Sequence, residues 1–287
     1  MLYAFFYLIS RLPFSILYAI SDLMAYLANN ILGYRKNVIL KNLRNSFPAR
    51  DEQELQGLLP AIYRNLTDVI VETIKLLTIS KEELNRRVIF KNTDVIDNFY
   101  HQGRTVIATT SHICNWEWLL GASALNLAGP IDAVYQPIKS RFYDDLMLRI
   151  RGRFGAVPVE KNNVFRESLK KRNFPHIVAL AADQSPPGSD SNVYWTKFLN
   201  QETVFYNGME RLASGFDWPV VYGKMFRKKR GYYEVEFISL GTGQEEDKKG
   251  SMLDKYAETL EKMIEENPEN WLWSHNRWKR QPPRVTG

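Results

Sequence analysis

The stretch Thr105-Val-Ile-Ala-Thr-Thr110, running straight into Ser111-His-Ile-Cys-Asn-Trp-Glu-Trp118, decides how this chain folds. A β-branched, apolar run that ends in a polar turn is a buried strand. Its carboxyl end is where open α/β sheets gather their chemistry. Asn115 before Trp116-Glu117-Trp118 is an N-cap signal, so the strand gives way to a helix with Glu117 in its first turn. On one continuous helix, His112 and Glu117 would stand about 140° apart, at about 100° per residue, and could not share a face. With His112 in the loop, Glu117 can lean back and hold one imidazole nitrogen while the other takes a proton. Taken alone, the same spacing also describes a half-buried loop histidine followed by an ordinary first-turn acid.

Outward from this stretch, strands and helices alternate. Strands are expected at 88–90, 131–135, 156–159, 176–182 and 220–226, and 231–238 alternates with period two and pairs back on 220–226 across Lys228-Lys-Arg-Gly231. Helices are expected at 93–100, 116–127, 140–151, 164–172, 206–216 and 251–267. A long helical pattern over 51–79 carries Pro60, which is expected to break it. The fold class is therefore α/β, a mixed and largely parallel central sheet covered by helices on both faces.

With 287 residues, 45% apolar and 24% charged, the chain can bury one sizeable core. Its net charge of +6 suits an anionic partner. Without a long basic tract or zinc-finger spacing, a lipid surface or acidic carrier protein fits better than nucleic acid. One cysteine, Cys114, excludes an internal disulfide, and four histidines beside it form no metal-ligand cluster. Residues 1–34 carry only Arg11 and Asp22 as charges and divide from an expected globular domain over 35–287. Leu12 to Leu32 is long enough to span a bilayer. Asp22 near its middle would cost roughly 2.5–3.5 kcal/mol there, so a tilted or half-inserted membrane helix is equally expected. Arg35, Lys36, Lys41, Arg44 and Arg50 follow without an acid, which keeps the remaining chain cytoplasmic.

Further pieces follow in order: Arg35-Lys-Asn-Val-Ile-Leu-Lys-Asn-Leu-Arg-Asn-Ser-Phe-Pro48, the His112/Glu117 pair, Tyr135-Gln-Pro137, Arg151-Gly-Arg153 with Gly155, Ala182-Asp-Gln184, and Asn267-Pro-Glu-Asn-Trp-Leu-Trp-Ser-His-Asn-Arg-Trp-Lys279. In this order the chain resembles the lipid A biosynthesis acyltransferases, the lauroyl/myristoyl branch of the lysophospholipid acyltransferase superfamily, over nearly its whole length. It departs from them after Asp183, where Gln184-Ser-Pro-Pro-Gly-Ser-Asp190 replaces a second Asp or Tyr and a basic residue. The resemblance implies a glycerolipid acyltransferase-like fold at the cytoplasmic face of a bacterial inner membrane. It also implies transfer of a fatty acyl chain from acyl carrier protein or coenzyme A to a lipid A hydroxyl, with the thioester as co-substrate and no resident cofactor.

The same resemblance implies His112 as general base and Glu117 as its orienting partner. Arg151, with Arg153, would face an anionic lipid, and Asp183 either anchors Arg151 or a sugar hydroxyl or caps the following turn. Trp195 to Gly208 resembles a stretch lining the acyl channel, and reads equally as core. His275 and the tryptophans around it would pack beneath the site. Three rivals stand beside this reading: an acyltransferase for a lyso-glycerophospholipid or lyso-aminolipid, a non-catalytic lipid-binding protein, and a Cys114 thioesterase. Chain length, donor carrier and subunit number are not written in the sequence.

Overall fold

The computed structural model describes residues 2–186, 192–243 and 250–280. The first third of the chain is mostly helical: α1 (Leu2–Arg11), α2 (Phe14–Tyr26, prolonged by a π-helical turn to Ile31), α3 (Lys36–Ser46), α4 (Glu52–Lys75) and α5 (Lys81–Arg87). The remainder alternates: β1 (Val88–Phe90), α6 (Asp94–His101), β2 (Val106–Thr110), α7 (Trp116–Asn126), β3 (Ile131–Tyr135), α8 (Arg141–Gly152), β4 (Val157–Glu160), α9 (Val164–Lys170) and β5 (Ile177–Ala181). A hairpin of β6 (Val193–Phe198) and β7 (Gln201–Tyr206) precedes α10 (Gly208–Phe216), β8 (Val220–Lys229), β9 (Tyr232–Gly241) and α11 (Ser251–Glu266).

Seven strands form one sheet in the order β1-β9-β8-β2-β5-β3-β4, parallel except for the β8–β9 hairpin. The mixed, mostly parallel sheet expected from the sequence is the one found. The middle strand β2 is buried because both its faces are covered: Val106 and Ile107 have no exposed surface, which is why its sequence is continuously apolar and not alternating. The chain leaves β2 toward β3 on one side and leaves β5 toward β8 on the other. The crevice beyond the carboxyl ends of β2 and β5 is thus a topological switch point. Their register pairs Thr110 with Ala181, so residues a step or two beyond each strand meet there.

Two expectations are corrected. Helix α4 runs through Pro60 unbroken, because Pro60 and Gln56, whose carbonyl loses its partner, both lie on the solvent side. The N-terminal segment is not one continuous helix: α1 and the helix from Phe14 to Ile31 are bent by 117° at Leu12-Pro13, and among the described residues no single helix is long and apolar enough to cross a membrane. Pro13 stands at the N-cap of α2, the position where a missing N–H costs nothing.

The pair docks on α4 through polar bonds. Lys75 Nζ donates to the Ser10 and Leu12 carbonyls at 2.9 and 2.8 Å, and Ser21 donates to Asp68 at 2.6 Å. Asp22 accepts from both terminal nitrogens of Arg230, at 2.9 and 2.8 Å, and lies 3.4 Å from Arg64. Leu2, Phe5, Leu8, Ile16, Leu23 and Leu32 remain exposed on the outside of the pair.

Because Asp22 faces Arg230, Asp22→Leu should loosen the docking of α2, by up to about 1 kcal/mol for so exposed a pair. Hydrogen exchange of the α2 amides checks this; unchanged protection would place the docking energy elsewhere.

Candidate active site

His112 sits two residues past β2 and Asp183 two residues past β5, so the parallel register brings them side by side. His112 Nδ1 donates to Asp183 Oδ1 at 2.7 Å. The second oxygen, Oδ2, accepts from the His112 backbone N–H at 3.0 Å and from Trp271 Nε1 at 2.9 Å. One carboxylate thus fixes the ring, the backbone that carries it and the C-terminal segment. The imidazole nitrogen expected on Glu117 is therefore held by Asp183 instead: a side chain on the adjacent strand end reaches Nδ1 directly, and Glu117 is engaged elsewhere.

Burial by itself would lower the His112 pKa, yet the charge and hydrogen bond of Asp183, with Glu117 adding to them, outweigh it and raise the value. Burial likewise opposes the Asp183 carboxylate, and the neighbouring imidazolium and three N–H donors override it, holding Asp183 down at about 2. An ionised Asp183 puts the proton on Nδ1 and leaves Nε2 as a hydrogen-bond acceptor. Gln184 Nε2 lies 3.2 Å from that nitrogen, and the Trp116 ring stands edge-on to the imidazole with centroids 4.9 Å apart.

Glu117, almost fully buried, instead clamps Arg151, accepting from Nε at 3.0 Å and Nη2 at 2.6 Å. Burial disfavours the Arg151 charge, and the bidentate carboxylate restores it, so its pKa rises. Among the described residues Arg151 Nη1 has no hydrogen bond, which leaves one edge of the fork for a ligand. Asp183 does not anchor Arg151: its oxygens hold His112 and Trp271, and the guanidinium is held by Glu117. Arg153 is turned away: Nη1 donates to the Leu76 carbonyl at 2.6 Å and the guanidinium covers Phe154, which makes it a link between α4 and α8.

The loop between β2 and α7 is tightly held. Cys114 is in the left-handed region at φ 53°, its N–H donates to the Asn270 carbonyl at 2.8 Å, and its thiol donates to the Met225 carbonyl at 3.3 Å. Burial pushes that thiol up to about 12, so it carries no thiolate for a Cys-centred reaction. Asn115 caps α7, accepting from Trp118 N–H at 2.9 Å. The C-terminal segment lies beneath, with the Leu272 N–H donating to the His112 carbonyl at 3.1 Å. His275 accepts from the Ser185 N–H at 3.2 Å, and burial lowers its pKa to about 4, as suits a neutral structural histidine.

No local sequence signal marks Trp116 as a ring partner of His112 or Trp271 as a donor to Asp183, and Asp183 has His112, not Arg151, as its neighbour. The segment from Trp195 to Gly208 forms most of the β6–β7 hairpin, whose Phe198 and Phe205 are fully buried against Trp271, Trp278 and Tyr256, so those residues are core. The Gln184 to Asp190 block lies only partly within the described residues.

Residues 1–280 match the family model described as bacterial lipid A biosynthesis acyltransferase. The lipid A biosynthesis palmitoleoyltransferase of Escherichia coli (strain K12) is 24% identical over 281 residues, covering 95% of this chain and 88% of that protein. The lipid A biosynthesis acyltransferase of Shigella flexneri shows the same 24% identity over 281 residues. The lipid A biosynthesis lauroyltransferase of E. coli (strain K12) is 22% identical over 280 residues, 97% of this chain and 90% of its own.

Two outcomes follow from the site's electrostatics. An NMR titration should place the His112 midpoint above the ordinary value of about 6.5, and Asp183→Asn should lower it, since burial and Arg151 both then act against the cation unopposed by that carboxylate. A midpoint that rises or stays put in Asp183→Asn would contradict the pairing. Cys114→Ala should leave that titration unmoved.

Proposed function

The chain belongs to the bacterial lipid A biosynthesis acyltransferase family, and from that premise we propose that it moves a fatty acyl chain from an acyl thioester to a hydroxyl of a lipid A precursor at a membrane surface. The observation that carries the chemistry is the His112 imidazole, protonated at Nδ1 by its bond to Asp183 and open at Nε2 at the switch point of the sheet. An acceptor hydroxyl that displaces the Gln184 amide gives its proton to Nε2. Its oxygen adds to the thioester carbonyl, the C–S bond breaks, and the imidazolium returns the proton to the departing thiolate. Asp183 stabilises the imidazolium, the same division of labour as in a Ser-His-Asp triad without the serine.

Glu117 serves this reaction through Arg151. A guanidinium pinned along one edge keeps its other edge in a fixed place, where it meets the developing oxyanion or a phosphate of the acceptor. Arginine suits a phosphorylated glucosamine disaccharide because its planar fork matches two phosphate oxygens at once. The donor is acyl carrier protein or coenzyme A, and the positive surface of the chain, net +6, suits the acidic carrier. The bent helical pair presents exposed Leu2, Phe5, Leu8, Ile16 and Leu23 as an apolar surface that lies in the headgroup layer, which would hold the site at the cytoplasmic face of the inner membrane.

A second acceptor stays in view because Gln184, which departs from the family pattern, touches the reacting nitrogen itself. A lyso-phospholipid or lyso-aminolipid hydroxyl would meet the same base with different neighbours.

His112→Ala should fold normally and lower acyl transfer by about two to four orders of magnitude; activity within a few-fold of wild type would reject the base. Arg151→Lys should fall well below wild type and Arg151→Ala further, since an ammonium makes no bidentate pair. Competition between a lipid A precursor and a lyso-lipid for one acyl-thioester donor decides the acceptor: acylated disaccharide supports the proposal, and acylated lyso-lipid alone sinks it.

A further inference from the structure

We propose that Glu72 is a positioning residue for the His112 site, and that through Tyr18 it makes the geometry of that site depend on the docked N-terminal helix. Glu72 stands in the last two turns of α4 with no exposed surface. Three donors from three separate segments converge on its carboxylate. Tyr18 of α2 donates to Oε1 at 2.8 Å, and Tyr233 of β9 and Asn115 of the His112 loop donate to Oε2 at 2.7 and 2.6 Å. The Glu72 backbone carbonyl also accepts from Trp118 Nε1 at 2.7 Å.

The geometry of this cluster has a direction. Burial raises the Glu72 pKa, yet Oε2 accepts from the Asn115 amide nitrogen whether or not Oε1 carries a proton, and that turns the amide oxygen toward Trp118 N–H, where it caps α7. The cap fixes where the helix begins and therefore where Glu117, and Arg151 with it, stand relative to His112. Between His112 and Asn115, Cys114 holds φ at 53°, a left-handed conformation that is strained for a residue with a side chain. Such a strained link persists only where its surroundings over-determine it. The Asn270 carbonyl grips it on one side and the Asn115–Glu72 bond on the other.

Tyr18 extends the chain of contacts to the surface of α2. Its ring stacks on Phe14 with centroids 5.8 Å apart, and Arg230 lies 4.5 Å over its face. Gly231, at φ +71° in the β8–β9 turn, leaves the room Tyr18 needs, since a Cβ there would collide with the tyrosine hydroxyl. Ile16 and Leu23 of the same helix are exposed. A helix whose outer face meets lipid thus holds, on its inner face, the acid that orients the catalytic loop.

The test uses full-length protein and three variants: Glu72→Met, Glu72→Gln and Tyr18→Phe. Methionine removes the acceptor at similar size. Glutamine keeps an oxygen for Asn115 and Tyr233 and offers an N–H that the Tyr18 hydroxyl can accept. For Glu72→Met we expect kcat to fall about ten- to a hundred-fold with KM near wild type, the signature of a misplaced catalytic group. Tyr18→Phe should lose about three-fold or more, and Glu72→Gln should stay within about three-fold of wild type. Thermal melting checks that each variant is folded, and if Glu72→Met does not fold, Tyr18→Phe and Glu72→Gln decide. The activity readout rests on the acyl-transfer reading. The second readout does not: the low-field NMR signal of the His112 Nδ1 proton on Asp183 should shift or broaden in Glu72→Met and Tyr18→Phe. An unmoved signal in both, unchanged kcat in both, or a Glu72→Gln loss as deep as that of Glu72→Met would overturn the proposal. A wild type that shows the signal and no acyl transfer would sink the function and leave this inference to the NMR alone.

Discussion

Everything at the carboxyl end of the sheet is referred to one carboxylate. Asp183 receives the His112 ring, the His112 backbone and the Trp271 indole on its two oxygens, and it is buried while doing so. A buried anion with fewer partners would be neutralised or expelled. With three N–H donors it is instead held ionised, and that charge sets the imidazole's tautomer. The same contacts join β2, β5 and the C-terminal segment, so the imidazole cannot move without disturbing the sheet end. Because that carboxylate is pinned from three sides, the open nitrogen is presented in a defined direction without a substrate to organise it.

A second carboxylate solves a different problem. Arg151 is largely enclosed, and an enclosed guanidinium without a partner would cost several kcal/mol. Glu117 occupies one edge of the fork and leaves the cation both charged and aimed. The two acids of the site therefore divide the work: one orients an imidazole, the other orients a guanidinium. Sitting on neighbouring elements, each depends on the α7 start for its separation from the other.

Much of this was legible in the residues, and what was not has a physical cause. The run Thr105–Thr110 could hardly be anything other than a buried strand, and Asn115 announced its helix, so the place of His112 followed from local pattern alone. The partner of His112 did not. Whether Glu117 or Asp183 holds Nδ1 is set by the Thr110–Ala181 register, a relation between residues far apart in the chain that no local window contains. Arg153 looked equivalent to Arg151 because the helix end at Gly152, which sends the two side chains in different directions, is a matter of one residue. The β6–β7 hairpin reads equally as lining or core because its apolar residues carry the composition of both. Glu72 drew no attention since an acid within an amphipathic helix is ordinarily solvated, and only the arrival of α2, β9 and the His112 loop on one point makes it otherwise.

The docking of α1 and α2 bears on how such a chain can be altered or inherited. A membrane anchor on a flexible tether is exchangeable: any hydrophobic helix will do, and clipping it yields a soluble catalyst. Here the apolar pair is also interior. Leu17 is fully buried, Phe14 packs edge-on against Trp118, and Arg87 lies 3.6 Å over the Phe14 ring. Cutting before α3 would strip Trp118 and Arg87 of their cover and leave the Glu72 carboxylate one donor short. The outward apolar face of the helical pair and the loop that carries His112 are therefore one piece of architecture, and neither can drift in sequence, or be grafted onto another protein, without carrying the other along.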